Sequence, residues 1–307
     1  MDLPHNHAER LERARLSLDG LAIGDAFGEM LAYNCVAARD RVERGLMAGP
    51  WFHTDDTEMA LSIFEVLRTH GRIDPKELSL RFAERFRKDP DRGYGQMARV
   101  VLRGILSGED WRHASASAFS GTGSLGNGGA MRVAPLGAYF AEDLDSSLRG
   151  EAVLSASITH AHREGQAGAV AIAVAAAMAW RLRGQPKEQA ARELLQAVYD
   201  RTPEGETRIG IAKAMKIAFS TAPQLAARML GNGSLVTAPD TVPYVVWSAA
   251  RNLDDYKEAL VSTVSGDGDC DTNCAMVGGI VALHAGRDSI PAEWQEARER
   301  YDFEQAE

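Results

Sequence analysis

The chain has 307 residues, 45% hydrophobic and 25% charged, enough to build a sizeable core as one large domain or two average ones. Its net charge of −9 excludes general binding to nucleic acid or to an anionic membrane, either of which needs a broad basic face. Three cysteines (Cys35, Cys270, Cys274) cannot complete a disulfide framework and the polar start MDLPHNHAERLERARL is no secretory signal, so a soluble protein of a reducing cytoplasm is expected.

Helical periodicity dominates from the first element onward. In HAERLERARLSLDGLAIGDAFGEML, Leu11, Ala14, Leu18 and Leu21 share one face, and Gly20, Gly24 and Gly28 follow at four-residue spacing, which lets another element approach closely. TEMALSIFEVLRTHG reads as a second helix with Met59, Ile63, Val66 and Leu67 inward and Gly71 as its stop. Asp74-Pro75 opens a third, carried by Leu78, Phe82 and Phe86 to the Asp89-Pro90 break. Further helices are predicted over 95–107, 145–159, 164–184, 186–200, 205–219, 222–230, 242–251, 254–264, 271–285 and 291–304. AGAVAIAVAAAMAW, residues 167 to 180, is too short and alanine-rich to span a bilayer and reads as a buried core helix. Alternating β-branched runs are scarce, and one long irregular stretch, FSGTGSLGNGGAMRVAPLG, lies mid-chain. The expectation is an all-α protein: a single compact orthogonal domain over 1–307, roughly a dozen helices around a central glycine-rich loop.

Two acidic clusters precede apolar helices. GDGDCDT holds Asp267, Asp269 and Asp271 within five positions, and HTDDTEMAL places Thr54, Asp55 and Asp56 in the same relation to its helix. An EF-hand reading fails: counting from Asp267, the required glycine is Thr272 and the required glutamate is Gly278. Helix N-capping explains each cluster taken alone. If the two helix starts meet, four carboxylates share a partly dry pocket, which requires compensating cations. Oxygen-only ligands suit Mg²⁺ or Mn²⁺ rather than zinc, and the donor count suits a pair of ions. The Cys270/Cys274 pair lacks the partners of a zinc site and reads as packing.

TDDT early in the chain and D-x-D-T in GDCDT near its end resemble the signature of the ADP-ribosylglycohydrolase family. GLAIGDAFGE, RGYGQMARVVLRGI, GSLGNGGAMRVAPLG, ITHAHREG and GNGSLVTAPDTVPYVVW agree in order and spacing, from about residue 16 to about 286. The resemblance implies a compact helical fold with two divalent cations, Mg²⁺ or Mn²⁺, held by Thr54, Asp55, Asp56, Asp269, Asp271 and Thr272 and gripping the distal ribose of ADP-ribose. Two departures stand out. Where members read GGD this chain has Asp267-Gly268-Asp269, so Asp267 is an extra carboxylate, expected to be solvated. Many members carry a catalytic glutamate at a spacing that falls near Ala32; this chain offers Glu29, as in a bacterial branch with GDAFGE, and the role is carried to Glu29.

Gly121, Gly123 and Gly126 form a G-x-G-x-x-G pattern, but no hydrophobic strand precedes it and no parallel α/β alternation follows, so a dinucleotide-binding βαβ unit is rejected. The resemblance instead gives Ser124, Leu125, Gly126 and Asn127 to the diphosphate and His160 to the nucleotide-proximal ribose. His162 reads as surface; His53 reads as solvent-facing, the alternative being that it shifts the protonation of the adjoining TDD triplet; and Arg132 reads as a member of a core ion pair, the alternative being that it supplies charge to the phosphates. Asp25, one turn before Glu29 on the same face, either supports a metal-ligating residue or caps a neighbouring helix. The implied activity is hydrolysis at C1″ of ADP-ribose conjugates, through an oxocarbenium-like state. Glu29 would handle the proton, assisted or replaced by a metal-bound aspartate such as Asp55. A two-metal phosphoester or diphosphate hydrolase and a non-catalytic ADP-ribose-binding module are the alternatives. The expected partner is ADP-ribose or an ADP-ribosylated substrate, met by a monomer.

Overall fold

The computed structural model describes residues 3–32, 38–45 and 47–302. Cys35 and the end of the helix expected over 291–304 lie outside them. The described residues carry seventeen α-helices. The first nine are α1 (His7–Leu31), α2 (Ala38–Glu43), α3 (Asp55–His70), α4 (Pro75–Lys88), α5 (Gln96–Leu106), α6 (Trp111–Gly121), α7 (Gly128–Met131), α8 (Ala134–Tyr139) and α9 (Leu148–Ser157). There follow α10 (Arg163–Arg181), α11 (Lys187–Arg201), α12 (Glu206–Ala214), α13 (Pro223–Leu230), α14 (Ala238–Arg251), α15 (Tyr256–Val264), α16 (Cys270–Ala285) and α17 (Ala292–Ala297). Extended pairing among the described residues is limited to two isolated bridges, Trp51 with Arg298 and Gly126 with Thr237.

The all-α expectation is borne out, with more helices than the dozen predicted. The additional ones are short or weakly apolar: α2 has six residues, α7 lies inside the stretch read as irregular, α8 starts in it and runs two residues past its end, and α6 is rich in Ser and Ala. Helix α14 starts at Ala238 rather than 242 because Pro239 sits in its first turn, where the missing N–H breaks no bond. The caps behave as their residue types dictate. Thr54 accepts from the Asp56 amide at the start of α3, and Gly71 ends that helix with φ of 65°. Asp74 accepts from the Lys76 and Glu77 amides to open α4 on Pro75.

The alanine- and valine-rich α10 runs through the middle of the core, with residues 167 to 177 all buried. Among the described residues no helix is long and apolar enough to cross a membrane. The contact that positions the site is between α1 and α16. A methyl group on Gly24 would overlap the Cys274 carbonyl, and one on Gly28 would overlap the Cys270 carbonyl. The glycine face of α1 therefore lies directly on the backbone of α16, and the start of α16 is carried alongside Asp25 and Glu29. Cys270 and Cys274 are buried in this contact, as the packing reading requires.

Candidate active site

The two acidic clusters meet. Thr272 Oγ1, from the second, donates to Asp56 Oδ2 of the first at 3.4 Å across 216 positions of sequence. Asp25 of α1 fixes the first cluster. Its Oδ1 accepts from the Thr54 hydroxyl at 2.8 Å, and its Oδ2 accepts from the Thr54 amide at 2.9 Å, the Thr57 amide at 3.1 Å and the Thr57 hydroxyl at 2.6 Å. Asp25 thus caps α3 and holds Thr54, whose hydroxyl in turn reaches Asp56 Oδ2 at 3.3 Å. From the other side the Asp55 amide donates to the Arg92 carbonyl at 2.7 Å. The Arg92 guanidinium is clamped by both oxygens of Glu299 and donates to the His53 carbonyl at 2.9 Å. His53 is not solvent-facing as expected. It is buried, with Nε2 3.0 Å from Glu58 and Nδ1 3.3 Å from Glu299, because the C-terminal segment packs across it.

Asp55, Asp56, Asp269, Asp271 and Thr272 line one end of a cavity of about 660 Å³. The glycine loop from Gly123 to Gly128, with Arg132 and His160, forms its wall. Phe119, Leu125, Leu235 and Val236 form an exposed apolar lip; Phe119 is 53% exposed and Leu235 71%. Phe119, Ser120 and Val236 hold positive φ of 51°, 59° and 55°, which costs energy for side chains of this kind and concentrates backbone strain at the cavity mouth. Thr54 sits behind the lining, and Glu29 also lies outside it, half-exposed on α1 beside Asp271. Asp267 is exposed, as expected of a solvated extra carboxylate.

The electrostatics follow from crowding. Burial first, then the charges of Asp271 and Asp25, hold the Asp55 carboxyl well above the ordinary range. Asp56 is raised in the same way by burial, Asp25 and Asp271. Burial and Asp271 push Asp269 up to about 7, and burial is the main cause of the rise of Asp25 to about 6. Glu29 is raised by burial and by Asp271. Among the described residues no Lys, Arg or His side chain forms an ion pair with Asp55, Asp56, Asp269 or Asp271. Asp56 Oδ1 is buried with no hydrogen-bond partner, an atom that ordinarily costs about 1–3 kcal/mol or more when left so. The donor set is all oxygen and includes two threonine hydroxyls, which fits a hard divalent cation. No three acidic, His or Cys side chains among the described residues are already drawn to the spacing of a closed metal cage. The set is open toward the cavity.

The glycine loop is more committed internally than the sequence suggested. The Gly126 amide donates to Ser124 Oγ at 3.1 Å and the Asn127 amide to the Val236 carbonyl at 3.2 Å. The Ser124 and Leu125 amides have no protein acceptor among the described residues. The Asn127 side chain is already engaged within the protein: Nδ2 donates to Asp269 Oδ2 at 2.7 Å and to Thr241 Oγ1 at 3.1 Å. This donation favours the ionised carboxylate and opposes part of the rise of Asp269. Arg132 forms no core ion pair. It is fully buried, lies over the Phe82 ring at 4.3 Å and donates to neutral acceptors, and burial lowers it to about 9 against the opposing pull of Asp55 and Asp56. His162 accepts from the Glu164 amide as the cap of α10, half-buried rather than on the surface. Phe119, Leu235, Val236 and Thr241 were not singled out from sequence. Three of the four lie within GNGSLVTAPDTVPYVVW, but without a fold nothing ties that stretch to the glycine loop.

The sequence profile of the ADP-ribosylglycohydrolase family matches residues 6–307. The chain is 31% identical to ADP-ribosylhydrolase ARH3 of Homo sapiens over 280 residues, covering 82% of this chain and 76% of that one. It is 26% identical to the ADP-ribosyl-[dinitrogen reductase] glycohydrolase of Rhodospirillum rubrum, covering 92% of this chain and 89% of the relative. A solved structure described as an ADP-ribosylglycohydrolase-related protein complex superposes with a TM-score of 0.67 at 27% identity, over 95% of this chain and 94% of that chain. With two acidic helix starts joined at one end of a deep cavity and a glycine loop along its wall, the chain belongs to the ADP-ribosylglycohydrolase family.

Proposed function

We propose that the protein hydrolyses the glycosidic bond at C1″ of the distal ribose in ADP-ribose conjugates, releasing ADP-ribose, with two divalent cations, Mg²⁺ or Mn²⁺, in the acidic end of the cavity. The observation that carries the reading is the unpartnered, buried Asp56 Oδ1, at the point where two carboxylate-bearing helix starts converge without a balancing base. The activities named for the relatives support it. Thr54, Asp55, Asp56, Asp269, Asp271 and Thr272 would hold the cations, which when bound supply Lewis-acid polarisation and a place for sugar hydroxyls and water.

The chain's own groups then divide the remaining work. The Ser124 and Leu125 amides offer donors for the diphosphate, with Gly126 giving close approach. The lip at Phe119, Leu235 and Val236 offers a flat apolar surface for a base. His160 lines the wall between them. Glu29, raised by burial and by Asp271, carries the proton, with Asp55 inside the cavity as the group that assists or replaces it. The deciding experiment is a panel of defined ADP-ribosyl substrates incubated with Mg²⁺ or Mn²⁺, products identified by mass. Free ADP-ribose is expected. AMP would indicate diphosphate cleavage, and ADP-ribose binding without any turnover would reduce the protein to a binding module.

A further inference from the structure

His160 is gripped from behind by a chain of donors. Arg132, fully buried, donates through Nη2 to the Ser155 carbonyl at 3.1 Å and to Thr159 Oγ1 at 2.9 Å. An arginine only donates, so the Thr159 hydroxyl accepts from it and has one proton left to give. Thr159 is itself buried, and the polar atom within its reach is His160 Nδ1 at 2.8 Å. A buried hydroxyl proton needs an acceptor, and Nδ1 is one only when it carries no hydrogen. The single ring proton then sits on Nε2.

That nitrogen faces the cavity side. It lies 3.1 Å from where a Cβ would stand on either Gly126 or Gly128, and it has no protein partner among the described residues. The ring stays neutral, because burial and the adjacent Arg132 charge hold it down to about 3. We propose that Arg132 and Thr159 are positioning residues that fix His160 as the Nε2–H tautomer, giving the cavity wall a permanent neutral hydrogen-bond donor. Such a donor matches an acceptor oxygen, as on a phosphate or a ribose hydroxyl, and turns away a ligand group that can only donate. Donation from the Arg132 cation to Thr159 polarises the hydroxyl, which strengthens its own bond to Nδ1 and sharpens Nε2–H as a donor. The arginine charge thereby acts on the ligand without touching it.

The identity of the acceptor rests on the proposed ADP-ribose ligand, whereas the tautomer belongs to the free protein, and the test separates the two. Long-range ¹H–¹⁵N correlation spectra of the labelled full chain, with His160→Gln to assign the signals among the eight histidines, report which ring nitrogen is protonated. A bare Nδ1 and a protonated Nε2, unchanged between about pH 5 and about pH 8, are expected. Thr159→Val keeps the shape, removes the hydroxyl, and should mix in the Nδ1–H form while weakening ADP-ribose binding about tenfold. Thr159→Ser should restore both. A wild-type spectrum with Nδ1 protonated overturns the proposal even if the valine variant fails to fold. So does a folded Thr159→Val with the wild-type tautomer and affinity. If the tautomer is as expected and wild-type protein binds no ADP-ribose, the positioning stands and the proposed function falls.

Discussion

If Asp269 helps to hold a cation, proton and cation compete for it, and the competition has a calculable size. Its carboxyl is raised from 3.8 to about 7, by burial first and by Asp271 second. At about pH 5 the group is almost wholly protonated, and cation binding must displace that proton at a cost of about 2.7 kcal/mol, 1.36 kcal/mol for each of two pH units. Apparent affinity for Mn²⁺ or Mg²⁺ should therefore rise about 100-fold between pH 5 and pH 7 and level off above it. The raised carboxyls of Asp55 and Asp56 act in the same direction and steepen the climb. The sign for folding is the reverse. Because folded Asp25 and Asp269 hold protons more tightly than the unfolded chain, metal-free protein has their stabilisation at low pH and loses it as pH rises from about 4 to about 7. His160, lowered to about 3, runs the other way below about pH 6.5, so bare melting curves mix the two effects. Cation titration by calorimetry at a series of pH values cancels the histidine, and buffers of different ionisation enthalpy count the protons released. An affinity independent of pH, or binding without proton release at about pH 5, would refute the assignment of a cation to these carboxylates.

Three further outcomes are expected. Gly24→Ala drives a methyl group into the Cys274 carbonyl of α16, a backbone atom that cannot swing aside; a loss of about 1–3 kcal/mol or more in urea unfolding should follow, and wild-type stability would contradict the close packing of α1 on α16. Asn127→Ala removes the donor to Asp269 Oδ2, so cation affinity at about pH 7 should drop about tenfold and its rise with pH should move to more alkaline values; an unchanged titration would show that Asn127 does not position Asp269. Glu29→Gln should cut turnover by about 10² to 10⁴ with ADP-ribose affinity retained, as measured by single-turnover hydrolysis beside binding calorimetry, and full activity would take the proton-transfer role from Glu29.

The parts of the fold legible in the sequence are those in which one residue type has one physical use. The glycines of α1 announced a close contact, Gly71 a helix stop and Asp74-Pro75 a helix start, because each reflects a local backbone requirement. Helices α6, α7 and α8 escaped because short, alanine-, serine- and glycine-rich turns carry little apolar periodicity and are stabilised by what packs on them. In the site, the aspartates were visible because five carboxylates in two short runs have few uses. The turn of Asn127 toward Asp269, the burial of His53 and the neutral surroundings of Arg132 depend on which distant segment lies opposite. Asn127 pairs across 142 positions, and no local pattern encodes that.

Helix α1 explains how such an acidic centre is assembled at all. Its glycine face receives the backbone of α16, while Asp25, one residue beyond Gly24 and so about a quarter-turn around the helix, receives the amides and hydroxyls that open α3. One rigid element thus sets two helix N-termini against the same cavity. Each terminus contributes about half a positive charge to the carboxylates in its first turn. Two such ends supply about +1, and Arg132, set back behind the wall, at most another +1. Four aspartates ionised together would leave an excess of about −2 even before the buried Asp25 is counted, which the fold does not balance. At low pH protons make up the difference, and the carboxyls of Asp55, Asp56 and Asp269 are raised to hold them, by burial first and by the neighbouring aspartates second. On the proposed function, cations would meet the same deficit near neutrality, and Asp56 Oδ1, buried without a partner among the described residues, is an oxygen free to receive one. The packing of small residues along α1 and the affinity for charge at its end are therefore one design: relaxing the first, as Gly24→Ala would, should loosen the second as well.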